Sequence, residues 1–103
     1  MPYIKEERRK FLDDDIIKLS KEIVTKIISI DSEQKVYTWG LDEGELNYVI
    51  TKLVVECLKA EEHINYSTLN KYLGVLDAVK NEFYRRVVAK YEDDKIKDNG
   101  DVY

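Results

Sequence analysis

The sequence predicts an all-α fold: three main helices at about 14–29, 43–60 and 66–94, a short N-terminal helical turn, and an ordered loop over 30–41. Three observations carry that expectation. Apolar residues recur three and four apart along most of the chain, the spacing that lines one face of a helix. Helix breakers are scarce, with one Pro and four Gly in 103 residues. Capping signals precede the second and third apolar patterns, where free backbone N–H groups need acceptors. The expected organisation is one helical domain, with an N-terminal arm over 1–12 and a polar tail over 95–103. A chain of this length buries only about two thirds of its unfolded surface, so apolar faces are expected to be shared in an oligomer, a dimer or higher.

The arm over 1–12 is charged, Lys5, Arg8, Arg9 and Lys10 outweighing Glu6 and Glu7, and Pro2 suits the start of a helical turn. Tyr3, Ile4, Phe11 and Leu12 are able to pin it to the body. Asp13, Asp14 and Asp15 resemble a metal cluster out of context. Neighbours on a helix point about 100° apart, so three in a row do not converge on one ion. They are read instead as the cap and first turn of the first helix, where the helix dipole favours acids. Ile16, Leu19, Ile23, Ile27 and Ile30 form its stripe, flanked by Ile17, Val24 and Ile28. That width predicts a helix buried on two sides.

Residues 30–41 break the pattern. Val36-Tyr37-Thr38-Trp39 has strand-like propensity, but one such run has no partner in the sequence and is read as an ordered loop. Trp39, the one indole, either clamps that loop onto a core or stacks on a planar ligand. Asp42 and Glu45 then have the spacing of a capping box, which gives both acids a structural task before any catalytic one. Leu46, Val49, Ile50, Leu53, Cys57 and Ala60 follow as a stripe, widened by Val54 and Leu58 and faced by Tyr48 and Val55. This second helix is expected to be central, or to lie at a subunit interface. Glu61-Glu62-His63 belongs to the next connection; its imidazole is the only one in the chain, and it lacks the spacing of a zinc-binding helix. Asn65 or Ser67 caps the last helix.

Composition narrows the function. A net charge of −4 argues against an extended nucleic-acid surface. The lone Cys57 excludes an intramolecular disulfide and is read as a small core residue. No apolar run approaches the length of a membrane span and no signal segment opens the chain, which predicts a cytoplasmic protein.

The last helix carries the sharpest feature. Leu69, Tyr72, Leu73, Leu76, Val79, Phe83 and Val87 share one stripe, and Lys80 falls in its middle. A lysine there must be paired, lose its charge or reach solvent. Tyr84 and Tyr91 lie on one border of the stripe, and Arg86 and Lys90 on the other, with Glu82 four residues from Arg86. Arg85 and Glu92 share the outer face. One reading pairs every charge structurally: Glu82 with Arg86, Arg85 with a nearby acid, Lys80 with a carboxylate of another helix. The other is a ligand site of Lys80, Tyr84, Arg85, Arg86 and Tyr91, with cationic donors for a phosphate or carboxylate and flat aromatic walls. Twenty-four residues of helix span about 36 Å, far beyond the radius of gyration of about 13 Å expected for such a domain, which again favours an oligomer.

The opening Met1-Pro2-Tyr3-Ile4, the run Gly44-Glu45-Leu46-Asn47-Tyr48 and the ending Glu82-Phe83-Tyr84-Arg85-Arg86, Tyr91-Glu92, Lys95, Asn99-Gly100-Asp101-Val102-Tyr103 give the whole chain a family likeness. It resembles a small uncharacterised family of prokaryotic and phage-encoded helical proteins. The resemblance brings no particular activity with it. It implies a complete chain, a phage or prophage origin, and a polar tail that matters more than a frayed end.

Three functions compete. The first is a non-enzymatic oligomer that holds a small anion such as a nucleotide at the basic, aromatic end of the last helix. The second is an interaction adaptor or inhibitor that docks through apolar helix faces. The third is an enzyme like the all-α nucleotide pyrophosphohydrolases, which hold magnesium with paired carboxylates on facing helices. The sequence departs from that last pattern, since Asp42 and Glu45 serve a cap and Glu56 stands alone. No cofactor and no metal are expected.

Overall fold

The structure is a computed structural model that describes residues 4–34 and 40–103. Among the described residues all regular structure is helical, arranged as three helices with no strand. Helix α1 is Glu6–Glu33 and helix α2 is Glu43–Lys59. The last helix begins as α3, Tyr66–Phe83, passes through a π turn, Tyr84–Val88, and continues as α4, Ala89–Asn99. The chain divides into two units, Met1–Lys52 and Leu53–Tyr103.

In the first unit, α1 starts eight residues earlier than the apolar stripe suggests and absorbs most of the arm. Nothing between Lys5 and Asp15 breaks a helix, and Lys10 Nζ lies 3.8 Å from Glu6 Oε1 one turn back. Asp13, Asp14 and Asp15 therefore lie inside α1 and do not cap it; Glu6 and Glu7 occupy its first turn. The broad stripe of α1 stays open to water, Ile16 at 59% and Ile17 at 50% exposure, with Ile23, Val24 and Ile27 half-buried. The expectation of a helix buried on two sides is not met within one chain. The loop expected over 30–41 starts later, because α1 continues through Glu33. Val36, Tyr37, Thr38 and Trp39 lie outside the described residues.

Helix α2 opens as its spacing predicts. The Glu45 N–H donates to Asp42 Oδ1 at 2.7 Å and the Asp42 N–H donates to Glu45 Oε1 at 3.0 Å, the reciprocal bonds of a capping box. Its faces are uncovered: Tyr48 is 66% exposed and Leu53 51%. Cys57, read from the sequence as a core residue, is an exposed free thiol.

In the second unit, α2 ends in tight bonds, Ala60 N–H to Cys57 O and Glu61 N–H to Leu58 O. Asn65 caps α3: its side chain accepts from the Thr68 N–H at 3.0 Å, while Thr68 Oγ1 accepts from the Asn65 N–H at 3.4 Å. The connection is held down by Glu61, whose Oε1 accepts from Lys71 Nζ at 2.8 Å and from Tyr72 Oη at 3.1 Å. The Lys71 ammonium also lies 5.3 Å from the centre of the Tyr72 ring. At the far end Gly100 adopts φ +83, a backbone that side-chain-bearing residues resist, and its N–H donates to Ile96 O at 2.8 Å. The helix thus runs through Asn99, and the polar tail is shorter than the sequence suggests.

Two outcomes follow. Asp42→Ala removes the capping box and lowers stability by about 1 kcal/mol, read from the midpoint of urea unfolding. The hydrogen bonds from Lys71, then Tyr72, hold the Glu61 carboxyl below its ordinary range. Lys71 is held above its ordinary range chiefly by the bond to Glu61, and Tyr72 is raised by burial and then by that carboxylate. A lowered carboxylate stabilises the fold above its ordinary range and loses that contribution as pH falls through its lowered value; the raised groups contribute below theirs and lose it as pH rises through the raised values. Carboxyl-carbon NMR should show Glu61 titrating low, and Lys71→Met should move it upward.

Candidate functional site

The residues singled out from the sequence converge on the junction of α3 and α4. Lys80 stands in the last turn of α3, Tyr84, Arg85 and Arg86 lie on the π turn itself, and Tyr91 lies on α4. The π turn is defined by the Ala89 N–H, which donates to Tyr84 O, five residues back. Two adjacent β-branched residues, Val87 and Val88, close it, and both are indifferent α-formers. One extra residue in the helix turns everything beyond it back by about 100°.

That rotation aligns Tyr84 with Glu92. Eight residues apart in a regular helix they diverge by about 80°; with one residue absorbed by the π turn they are about 20° apart. Tyr84 Oη donates to Glu92 Oε2 at 2.9 Å. The bond spans the π turn on the outside and ties its two ends together. Accepting that bond, and adding its negative charge, the Glu92 carboxylate pushes the Tyr84 phenol above its ordinary range.

The two arginines converge on Glu82. Arg85 Nη2 donates to both carboxylate oxygens, at 3.2 and 3.3 Å, and Arg86 Nε donates to Oε1 at 3.1 Å. Glu82 meets Arg86 as its spacing predicts, and takes Arg85 as well. An incoming anion would have to compete with this carboxylate. On α4, Lys95 Nζ stands 5.4 Å from the centre of the Tyr91 ring.

Lys80 is different. Its ammonium makes no hydrogen bond or ion pair among the described residues, so the carboxylate expected from another helix is not supplied within them. Asp77, one turn back, is likewise without a partner among them. Around Lys80 the stripe is open: Leu69 is 43% exposed, Leu73 65%, Leu76 37%, Val79 56%, Phe83 59% and Val87 52%.

The other candidates stay structural. No group of His, Cys, Asp and Glu able to hold a metal ion occurs among the described residues. His63 contributes its carbonyl, which accepts from Thr68 Oγ1 at 2.9 Å. Among the described residues no helix is long and apolar enough to cross a membrane. Sequence reasoning missed the π turn, whose only trace is the Val87-Val88 pair, and the Glu61 contacts, which a loop brings together over ten and eleven residues.

Fold and site define an all-α protein of three helices whose distinctive feature is a π turn in an open apolar stripe. The chain belongs to the family described as Domain of unknown function (DUF6899), which matches residues 1–102. No curated protein and no solved structure matches it.

Tyrosine-ring NMR should find the Tyr84 phenol titrating above the ordinary tyrosine range. Glu92→Gln, which keeps an acceptor but removes the charge, should bring it downward while the other tyrosines stay in place.

Proposed function

We propose that this protein is a non-enzymatic interaction module that docks through the apolar stripe of its last helix. The observation that supports the reading is the row Leu69, Leu73, Leu76, Val79, Phe83 and Val87, every member between 37 and 65% exposed. Burying a single Leu, Val or Phe side chain is worth about 1.5–3 kcal/mol, so a partner helix laid along this row gains several such terms at once. A contiguous exposed stripe of this kind marks a contact surface. The chemistry around it is poor in catalytic parts, since the acids on either side of the π turn, Glu82 and Glu92, are engaged by Arg85, Arg86 and Tyr84.

A second reading rests on Lys80 and the π turn. π turns recur at functional sites, and here one carries Tyr84, Arg85 and Arg86 one turn beyond a lysine that has no partner among the described residues. A small anion such as a nucleotide would be held by that ammonium and by guanidinium groups released from Glu82.

Hydrogen-exchange mass spectrometry separates the two. Exchange over residues 66–99 should slow in the wild type either as the protein's own concentration rises or on adding a lysate of the native host as the source of partner. In Leu76→Glu/Phe83→Glu, both exposed positions, the slowing should vanish while helix content by circular dichroism is kept. Slowing that survives the double substitution sinks the docking reading. Slowing confined to residues 80–91 on adding a nucleoside triphosphate, and lost in Lys80→Ala, favours the anion.

A further inference from the structure

The stripe has a phase that selects its occupant. From Tyr66 the inward positions step by three and four, Tyr66, Leu69, Leu73, Leu76, Lys80 and Phe83, the seam of a coiled coil. A regular helix would continue it through Val87 to Lys90, ending the seam on a charge. The π turn absorbs one residue, so the seam continues through Val88, with Val87 beside it, to Tyr91. The corrected seam covers residues 66–91, about 39 Å of rise and more than three heptads. Its outer members are open, Tyr66 at 79%, Leu73 at 65% and Tyr91 at 62% exposure.

Corrected in this way, the seam is complementary to itself in reverse. Laid antiparallel on a second copy with Lys80 opposite Leu76, it sets Phe83 against Leu73, Val88 against Leu69 and Tyr91 against Tyr66. The centre holds one polar residue per helix, Lys80. Asp77 follows Leu76 in sequence, so the Lys80 ammonium of each copy reaches the Asp77 carboxylate of the other, and the two-fold axis repeats the pair. Both groups lack a partner among the described residues of the single chain, although they stand one turn apart on the same helix. A parallel pairing brings the two Lys80 ammonium groups face to face in an apolar seam, which like-charge repulsion and desolvation oppose. A shift by one heptad in either direction sets Lys80 opposite Leu69 with Asn70, or opposite Phe83 with Tyr84, and neither neighbour offers the carboxylate that Asp77 does.

From this we infer that the partner of the last helix is a second copy of the chain, packed antiparallel over residues 66–91 with reciprocal Lys80–Asp77 ion pairs at the two-fold axis. The inference rests on the docking reading above and names its partner. It also gives Lys80 a function without a ligand: a polar seam residue that fixes direction and register.

The test uses the full chain carrying Cys57→Ser. Sedimentation velocity at micromolar concentration should give twice the chain mass. Lys80→Asp and Asp77→Lys should each weaken the dimer at least about tenfold, because each places like charges across the axis. The double variant Asp77→Lys/Lys80→Asp should restore it, which separates lost pairing from lost folding. Under oxidation, a mixture of Leu73→Cys and Phe83→Cys chains should link unlike copies, and neither variant should link to itself. A monomeric mass, self-linked Leu73→Cys, or single reversals without effect overturn the inference. If the mass is monomeric while the lysate still slows exchange over 66–99, the docking reading stands and the self-partner alone falls; if both fail, both fall.

Discussion

An amphipathic helix holds its shape in water only as far as its apolar face is removed from it, and here that face remains open. Helix formation gives back little beyond its nucleation cost, so most helical stability in proteins comes from tertiary packing of the apolar stripe. In this chain no described residue is fully buried, and Leu73, Phe83 and Ile16 are each more than half exposed. The local devices are well made: a capping box at Asp42 and Glu45, a second at Asn65 and Thr68, and a glycine stop at Gly100. They fix where helices begin and end, and leave the driving force for packing unspent.

The π turn gives that open face its direction. One extra residue in a helix changes its phase, and a phase change decides which side chains share a face. Here it exchanges Lys90 for Tyr91 at the end of the stripe and brings Tyr84 onto Glu92. The bond between those two closes over the turn, while Glu82 gathers Arg85 and Arg86 just before and within it. These exposed ion pairs add little to stability in water. Their effect is geometric: they hold charge on the outer face and leave the seam to apolar residues and Lys80.

Lys80 shows how a misplaced charge is best interpreted. A lysine in an apolar stripe invites a ligand, and the arginines and tyrosines nearby strengthen the invitation. The geometry redistributes those groups. Arg85 and Arg86 meet at Glu82, Tyr84 turns to Glu92, and Tyr91 stands by Lys95. Lys80 and Asp77 remain as two opposite charges with no partner among the described residues.

Much of this was legible in the amino-acid sequence. Three- and four-residue periodicity reports which face is apolar, and capping residues report where free N–H groups are met, because both are interactions between near neighbours on the chain. The all-α class, the start of α2 at Asp42 and the cap at Asn65 follow from such signals. Other features depended on what near neighbours do not encode. Asp13 to Asp15 looked like a helix start because they precede the apolar stripe, yet the charged residues before them continue the helix for lack of any breaker. Cys57 looked internal because its face is apolar, but a face is buried only when something covers it. The Glu61 contacts with Lys71 and Tyr72 required a loop to fold back, and the alignment of Tyr84 with Glu92 required a hydrogen bond to reach five residues instead of four. Near-neighbour signals specify which faces are apolar and where α2 and α3 are capped. The phase of the last helix came only with the structure, because one backbone hydrogen bond reaches five residues, and the exposure of the faces came with it too, because it depends on what packs against them.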